Sequence, residues 1–223
     1  MTPEEMIAEG EALSRICFHL SDDPVGEVVG YWGGERADIT EETFGTMFQS
    51  CEHLFTVNER LLAKLGIDHI GPVGLFELED MKNDFHLQVR KDYRESFDSV
   101  VCNGVPLYAT EKKSFPPFEA LCLYGSEKIG QWLQSLGLKR YEHWKIPEET
   151  YAAYHEHYLT EYPLWMQDVD VIVGGWHLRW PDDAYYMPAE VICLFLTLRD
   201  AEPWYSVWYS PSGKGCFSKS HIT

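Results

Sequence analysis

Five of the eight tryptophans, Trp165, Trp176, Trp180, Trp204 and Trp208, fall between residues 165 and 208, in segments patterned as successive β-strands. Val169-Asp170-Val171-Ile172-Val173 is dense in β-branched side chains, which fit a pleated surface and lose χ1 freedom in a helix, so a strand is expected there. Gly174-Gly175 then permits a bulge or a close backbone approach. Beyond it Trp176, Leu178 and Trp180 alternate with His177 and Arg179, the period of a half-buried strand, until Pro181-Asp182-Asp183 ends it. Residues 191–198 are almost continuously apolar, as suits a strand covered on both faces, and residues 204–209 and 215–220 follow across short polar turns. Together they predict a meander of about four strands, in which the short links favour antiparallel pairing.

The rest of the chain alternates isolated helices with groups of strands. Thr2-Pro3-Glu4-Glu5 combines a capping hydroxyl, proline at the first helical position and a glutamate that reaches back to the cap. The helix it opens is expected to carry Met6, Leu13, Ile16, Cys17 and Leu20 on one face as far as Ser21-Asp22-Asp23-Pro24. Residues 25–32 read as a strand closed by Gly33-Gly34. A long amphipathic helix is predicted over 41–65, capped by Thr40 and stopped by Gly66, because Phe44, Met47, Phe48, Cys51, Leu54, Phe55, Leu61, Leu62 and Leu65 recur at helical spacing.

From residue 67 to 125 the period changes to two, predicting strands near 73–78, 85–89 and 118–124. Between them, 97–102 and 105–110 are expected to form a hairpin about Asn103-Gly104, whose residues accept positive φ. Ser126 caps a helix carrying Ile129, Trp132, Leu133 and Leu136 that stops at Gly137, and Pro147-Glu148-Glu149 opens another with Tyr151, Tyr154, Tyr158 and Tyr162 along one face. The expected fold class is α+β: a predominantly antiparallel sheet, the long helix packed on it, and the aromatic-rich C-terminal β-meander. One domain is expected over 1–223, with 139–147 as the place of division if there are two units.

With a mean hydropathy of −0.29, no run of about 18 apolar residues and an acidic start at Glu4, Glu5, Glu9 and Glu11, neither a membrane span nor a secretory signal is expected. The six cysteines, Cys17, Cys51, Cys102, Cys122, Cys193 and Cys216, are scattered singly, which fits reduced thiols in a cytoplasmic protein. The net charge of −18 is uneven: Asp and Glu against Lys and Arg count 13 to 4 over residues 1–66, 12 to 10 over 67–146 and 11 to 4 over 147–223. Phosphate affinity comes chiefly from Lys and Arg, so nucleic acid is disfavoured as a partner, whereas a basic protein would be attracted and steered.

No stretch has the spacing that a particular chemistry demands. A GxSxG elbow is absent, Gly213-Lys214-Gly215 lacks the length of a phosphate loop, and Gly30-Tyr31-Trp32-Gly33-Gly34 is not a dinucleotide turn. In His155-Glu156-His157 the two histidines point about 200° apart on a helix, leaving His157 and Glu161 as one pair of metal ligands that two further ligands would have to complete; no metal or other cofactor is expected. His177, Arg179 and Asp182 are the residues an enzyme would use, as base, anion clamp and orienter. An Arg and a His on the solvated side of a sheet, paired to acids, explain the same pattern.

The expected function is therefore a non-enzymatic acidic interaction module, an immunity-type or neutralising inhibitor of a basic protein, with Trp180, Asp182, Asp183, Trp204 and Tyr205 at the contact. The alternative is a small-molecule hydrolase using His177, Arg179 and Asp182. A third is carbohydrate binding through aromatic platforms.

Overall fold

The computed structural model of the chain describes residues 1–36, 51–67, 72–78, 85–89, 101–161, 171–176, 192–197, 204–210 and 215–221. Helix α1 (Pro3–Ala12) is followed by strands β1 (Arg15–Ser21), β2 (Val28–Trp32), β3 (Glu35–Arg36) and β4 (Cys51–Val57). Helix α2 (Glu59–Lys64) precedes β5 (Val73–Leu78), β6 (Phe85–Val89), β7 (Val101–Cys102) and β8 (Val105–Ser114). Helices α3 (Phe118–Tyr124) and α4 (Glu127–Ser135), a 3-10 turn (Arg140–Lys145) and α5 (Glu148–Glu161) come next. The described chain ends with β9 (Val171–Gly174), β10 (Ile192–Thr197), β11 (Trp204–Ser210) and β12 (Gly215–His221). The class is α+β with a curled antiparallel sheet.

Among the described residues, ten strands pair in the order β12-β11-β10-β9-β1-β8-β2-β4-β5-β6. The sheet curls until the Cα atoms of its outer strands, β6 and β12, come within 8 Å. Strand β1 lies in its middle, with Cys17 opposite Lys112 on one side and Gly174 on the other. Successive side chains of a strand point to opposite faces, and β1 buries both. Phe18 and Leu20 join Val29, Phe55, Val57, Leu107, Val171, Val173 and the α2 residues Leu61 and Leu62 in one core. Cys17 joins a second core, in which Met6, Phe115, Phe118, Leu121, Ile129, Leu133, Tyr154 and Tyr158 bring α1, α3, α4 and α5 against the other face.

The local cap and stop signals at Thr2, Ser126 and Gly137 hold, while the Thr40 cap lies outside the described residues. Thr2 Oγ1 accepts from Glu5 N at 3.2 Å while Glu5 reaches back to Thr2 N at 2.9 Å. Ser126 Oγ accepts from Lys128 N at 3.1 Å, and Gly137 takes a φ of 74° just beyond α4. The tyrosine face of α5 packs inward, with Tyr154 and Tyr158 buried and Tyr151 stacked on Phe118 at 4.0 Å. The Tyr154 hydroxyl donates to Pro116 O at 2.8 Å, whereas the buried Tyr158 hydroxyl has no hydrogen-bond partner among the described residues. Tyr154→Phe is therefore expected to cost about 1 kcal/mol and Tyr158→Phe close to nothing in urea unfolding, because only the first removes a bond. Equal effects of the two changes would contradict this assignment.

Four expectations are corrected. The helix from residue 3 ends at Ala12, and Ile16, Cys17 and Leu20 lie in a strand: a strand buried on both faces hides its alternation, and its apolar positions then mimic helical spacing. Residues 118–124 are helix, with Phe118, Leu121 and Cys122 buried at helical spacing between Pro117 and Gly125; a short apolar run does not distinguish the two by periodicity. The helix over 41–65 does not run unbroken, because 51–57 form β4 between β2 and β5 and only Glu59–Lys64 is helical. Asn58 starts that helix, its Oδ1 accepting from Leu61 N at 2.9 Å, and residues 41–50 lie outside the described residues. Finally, Asn103 has the expected φ of 60°, but Gly104 is not positive and β7 pairs with β3, so the expected two-residue turn is not seen among the described residues; 97–100 lie outside them.

Candidate functional site

The tryptophan-rich stretch is described as far as Trp176, and its two glycines explain how that residue is held. Gly174 and Gly175 take φ of 81° and 79°, and a Cβ on them would lie 2.6 Å from Leu65 Cδ2 and 2.7 Å from Ser114 Cβ respectively. Only glycine meets both demands. The close approach lets Trp176 N donate to Ser114 Oγ at 2.7 Å, and the indole Nε1 donate to Leu13 O at 2.9 Å. The Arg15 guanidinium stands 3.5 Å from the Trp176 ring centroid, and the Tyr124 ring stacks at 5.9 Å. Trp176 is thus a buried clamp tying α1, β1, β8 and α3 to the exit of β9, not a surface platform.

From this clamp the chain continues into His177, Arg179, Trp180, Asp182 and Asp183, all outside the described residues. Trp204 and Tyr205 open β11, at register positions opposite His221 and Ser220. On α5, His157 lies edge-on to Phe115 at 5.3 Å, with Nε2 3.8 Å from Glu11 Oε1 on α1, while Glu161 is the last residue of the helix. His157 therefore faces the junction of α1 and α5. Among the described residues no three of His, Cys, Asp and Glu are grouped to hold a metal ion, and no helix is long and apolar enough to cross a membrane.

Two buried strand histidines, His53 and His19, escaped the sequence reading, because a lone histidine in a strand carries no local signal of its partners. His53 Nδ1 faces the Gly33 carbonyl oxygen at 2.9 Å and so carries the proton, leaving Nε2 to accept from the Thr56 hydroxyl at 2.7 Å. A hydroxyl bonded to an oriented imidazole is how a nucleophile and its base are arranged. Thr56, however, is wholly buried, so the pair ties the turn after β2 to β4 and offers a substrate no approach.

His19, on β1, is also buried, and its pKa falls to about 4, first through desolvation and then through the positive charge of Lys112. The folded protein thus resists protonation that the unfolded chain accepts near 6.5. Stability from this source is fully present above pH 6.5 and is lost as the pH falls toward about 4. His19→Gln is expected to flatten urea stability across that window relative to the parent protein, and an unchanged pH slope would contradict this.

Cys17 and Cys122 are free and buried, and burial pushes the Cys17 thiol up to about 12 and that of Cys122 higher still, so neither is a nucleophile. The large side chains that do meet solvent include Tyr141 and Trp144 on the 3-10 turn, within the 139–147 stretch that the sequence marked only as a place of possible division. No protein-family model matches the chain, and neither a curated protein nor a solved structure is detectably similar to it.

Proposed function

We propose that the chain is a non-enzymatic, acidic interaction module that works in the cytoplasm by binding a basic protein, in the manner of a neutralising or immunity-type inhibitor. The observation that carries this reading is the charge of −18, set almost entirely in the first 66 and last 77 residues. The engagement of the cations adds to it. Lys113 and Lys128 pair with Glu11 and Glu5, Lys145 with Glu142 and Arg60 with Glu27, while Arg140 donates to the carbonyl oxygens of Cys122 and Ser126. Surface pairs of this kind add little stability, yet they leave the excess carboxylates to set the outer field. Such a field raises association rates with a basic surface and repels nucleic acid.

In this reading residues 1–223 act as a single domain, and the aromatic-rich meander contributes Trp180, Trp204 and Tyr205 to the contact with Asp182 and Asp183 beside them. The experiment is native mass spectrometry on the protein isolated gently from its own host at low ionic strength. A stoichiometric basic protein is expected. A bare chain would remove the constitutive complex, and a retained metal or small molecule would turn attention to hydrolase chemistry at His177, Arg179 and Asp182.

A further inference from the structure

We infer that the open edge of strand β8 over residues 109–114 is a docking site for an extended segment of a partner protein, which joins the sheet antiparallel to β8 and carries an acidic residue opposite Lys112 followed by a basic one opposite Glu111. Strand β8 pairs with β1 on one side from Tyr108 to Ser114, but with β2 on the other only from Val105 to Tyr108. Beyond Tyr108 that second side has no strand partner among the described residues, and none of their turns or loops sends a backbone hydrogen bond to it. A strand offers its N–H and C=O groups alternately to its two sides, so a row of donors and acceptors is left there for an incoming chain.

Exposure shows that the row can be reached. Thr110, Glu111, Lys112 and Lys113 are all exposed, although β8 lies inside the ten-strand order. Successive residues point to opposite faces, so solvent meets this stretch from both. Ile16, opposite Lys113 on β1, is itself 48% exposed. The strand is covered on either side of the opening, with Leu107 and Ser114 buried, and Val28 at the start of β2 closes one end of it. The opening is therefore a notch in the sheet and not a frayed end.

The side chains along the notch decide its occupant. Lys113 is held by Glu11 at 3.3 Å, whereas Glu111 and Lys112 are in no ion pair among the described residues. Charged side chains on a sheet edge discourage indiscriminate strand pairing, and like charges directly opposite repel. An occupant must bring a base to Glu111 and an acid to Lys112, and in an antiparallel partner the acid comes first. A second copy of this chain offers that order in its own Glu111-Lys112. Pairing the two copies, however, would set Phe115 of the second copy opposite Tyr108, where Val28 already sits. A segment of another protein that pairs no farther than the notch meets no such conflict. Its main-chain bonds supply the affinity, and the two charges fix register and direction. The site does not depend on the net charge of the partner, so it stands or falls separately from the electrostatic reading.

The test titrates the full chain, labelled with nitrogen-15, with the peptide Thr-Val-Glu-Lys-Val-Thr and with its isomer Thr-Val-Lys-Glu-Val-Thr, read as shifts of backbone amide signals and as protection from exchange. The first peptide is expected to shift and protect amides within 109–114 and to bind about fivefold more tightly than the second. Glu111→Lys with Lys112→Glu is expected to reverse that preference, and Lys112→Gln alone to lessen it, with circular dichroism as the check on folding. Methylating the backbone nitrogens of the first peptide removes its donors and is expected to abolish binding. Shifts confined to other parts of the chain, equal binding of the two peptides, or no binding at millimolar peptide would overturn the site. Protection of 109–114 before any peptide is added, in a protein that sediments as a dimer, would assign the edge to a second copy and overturn the partner segment.

Discussion

Trp176→Ala is expected to lower the stability of the protein by about 3–5 kcal/mol, seen as a lower urea midpoint at unchanged slope. The loss has three sources that act together. The indole is 4% exposed, so its removal leaves a cavity bounded by the rigid Gly174-Gly175 approach, which cannot relax without moving β9 away from β1. The Leu13 carbonyl oxygen loses its donor at 2.9 Å, and the Arg15 guanidinium loses the ring it covers. Domains of this size are commonly stable by only about 5–15 kcal/mol, so the loss removes a large share of the total. A loss of less than about 1 kcal/mol would show that Trp176 is not the clamp described.

Phe115→Ala should have a comparable effect, again about 3–5 kcal/mol, but through the helical layer. Phe115 is wholly buried, with its ring centroid 5.1 Å from Tyr154, 5.3 Å from His157 and 6.4 Å from Tyr158. Gly10 of α1 lies against the ring itself and leaves no room there for a Cβ. One aromatic side chain thus fills the junction of α1 and α5, and alanine there removes the contacts that hold both helices on the sheet. Loss of amide-exchange protection is expected in both helices, with less change in α2, which belongs to the other core. Uniform loss across both cores would contradict that division.

How far the sequence could be read follows from where each signal resides. Helix ends were legible at Thr2, Ser126 and Gly137 because a cap or stop is satisfied within a few residues of itself. The inward face of α5 was legible because the tyrosines repeat over several turns. Segments whose state depends on distant neighbours were not. Residues 15–21 and 51–57 are strands because β8, β9, β2 and β5 supply their hydrogen bonds, and neither segment carries the alternation of a sheet open to water on one side. Residues 118–124 became helix where a sheet neighbour was absent and a helical layer was at hand.

The candidate site divides in the same way. The expected residues near Asp182 lie outside the described residues, so their sequence pattern still stands as an expectation. The exposure of Tyr141 and Trp144 on the 3-10 turn was not legible in the sequence. His53 and Thr56 needed the third dimension for the opposite conclusion, since a pairing that reads as chemistry proved to be enclosed.

The central claim is that the negative field of this chain recruits a basic protein. It is tested most directly by the association rate of the two proteins across a range of ionic strength. The predicted result is a rate constant that falls at least about tenfold from low to physiological salt while dissociation changes little, the behaviour of steered encounter. An association rate indifferent to salt would contradict the account, whatever the affinity.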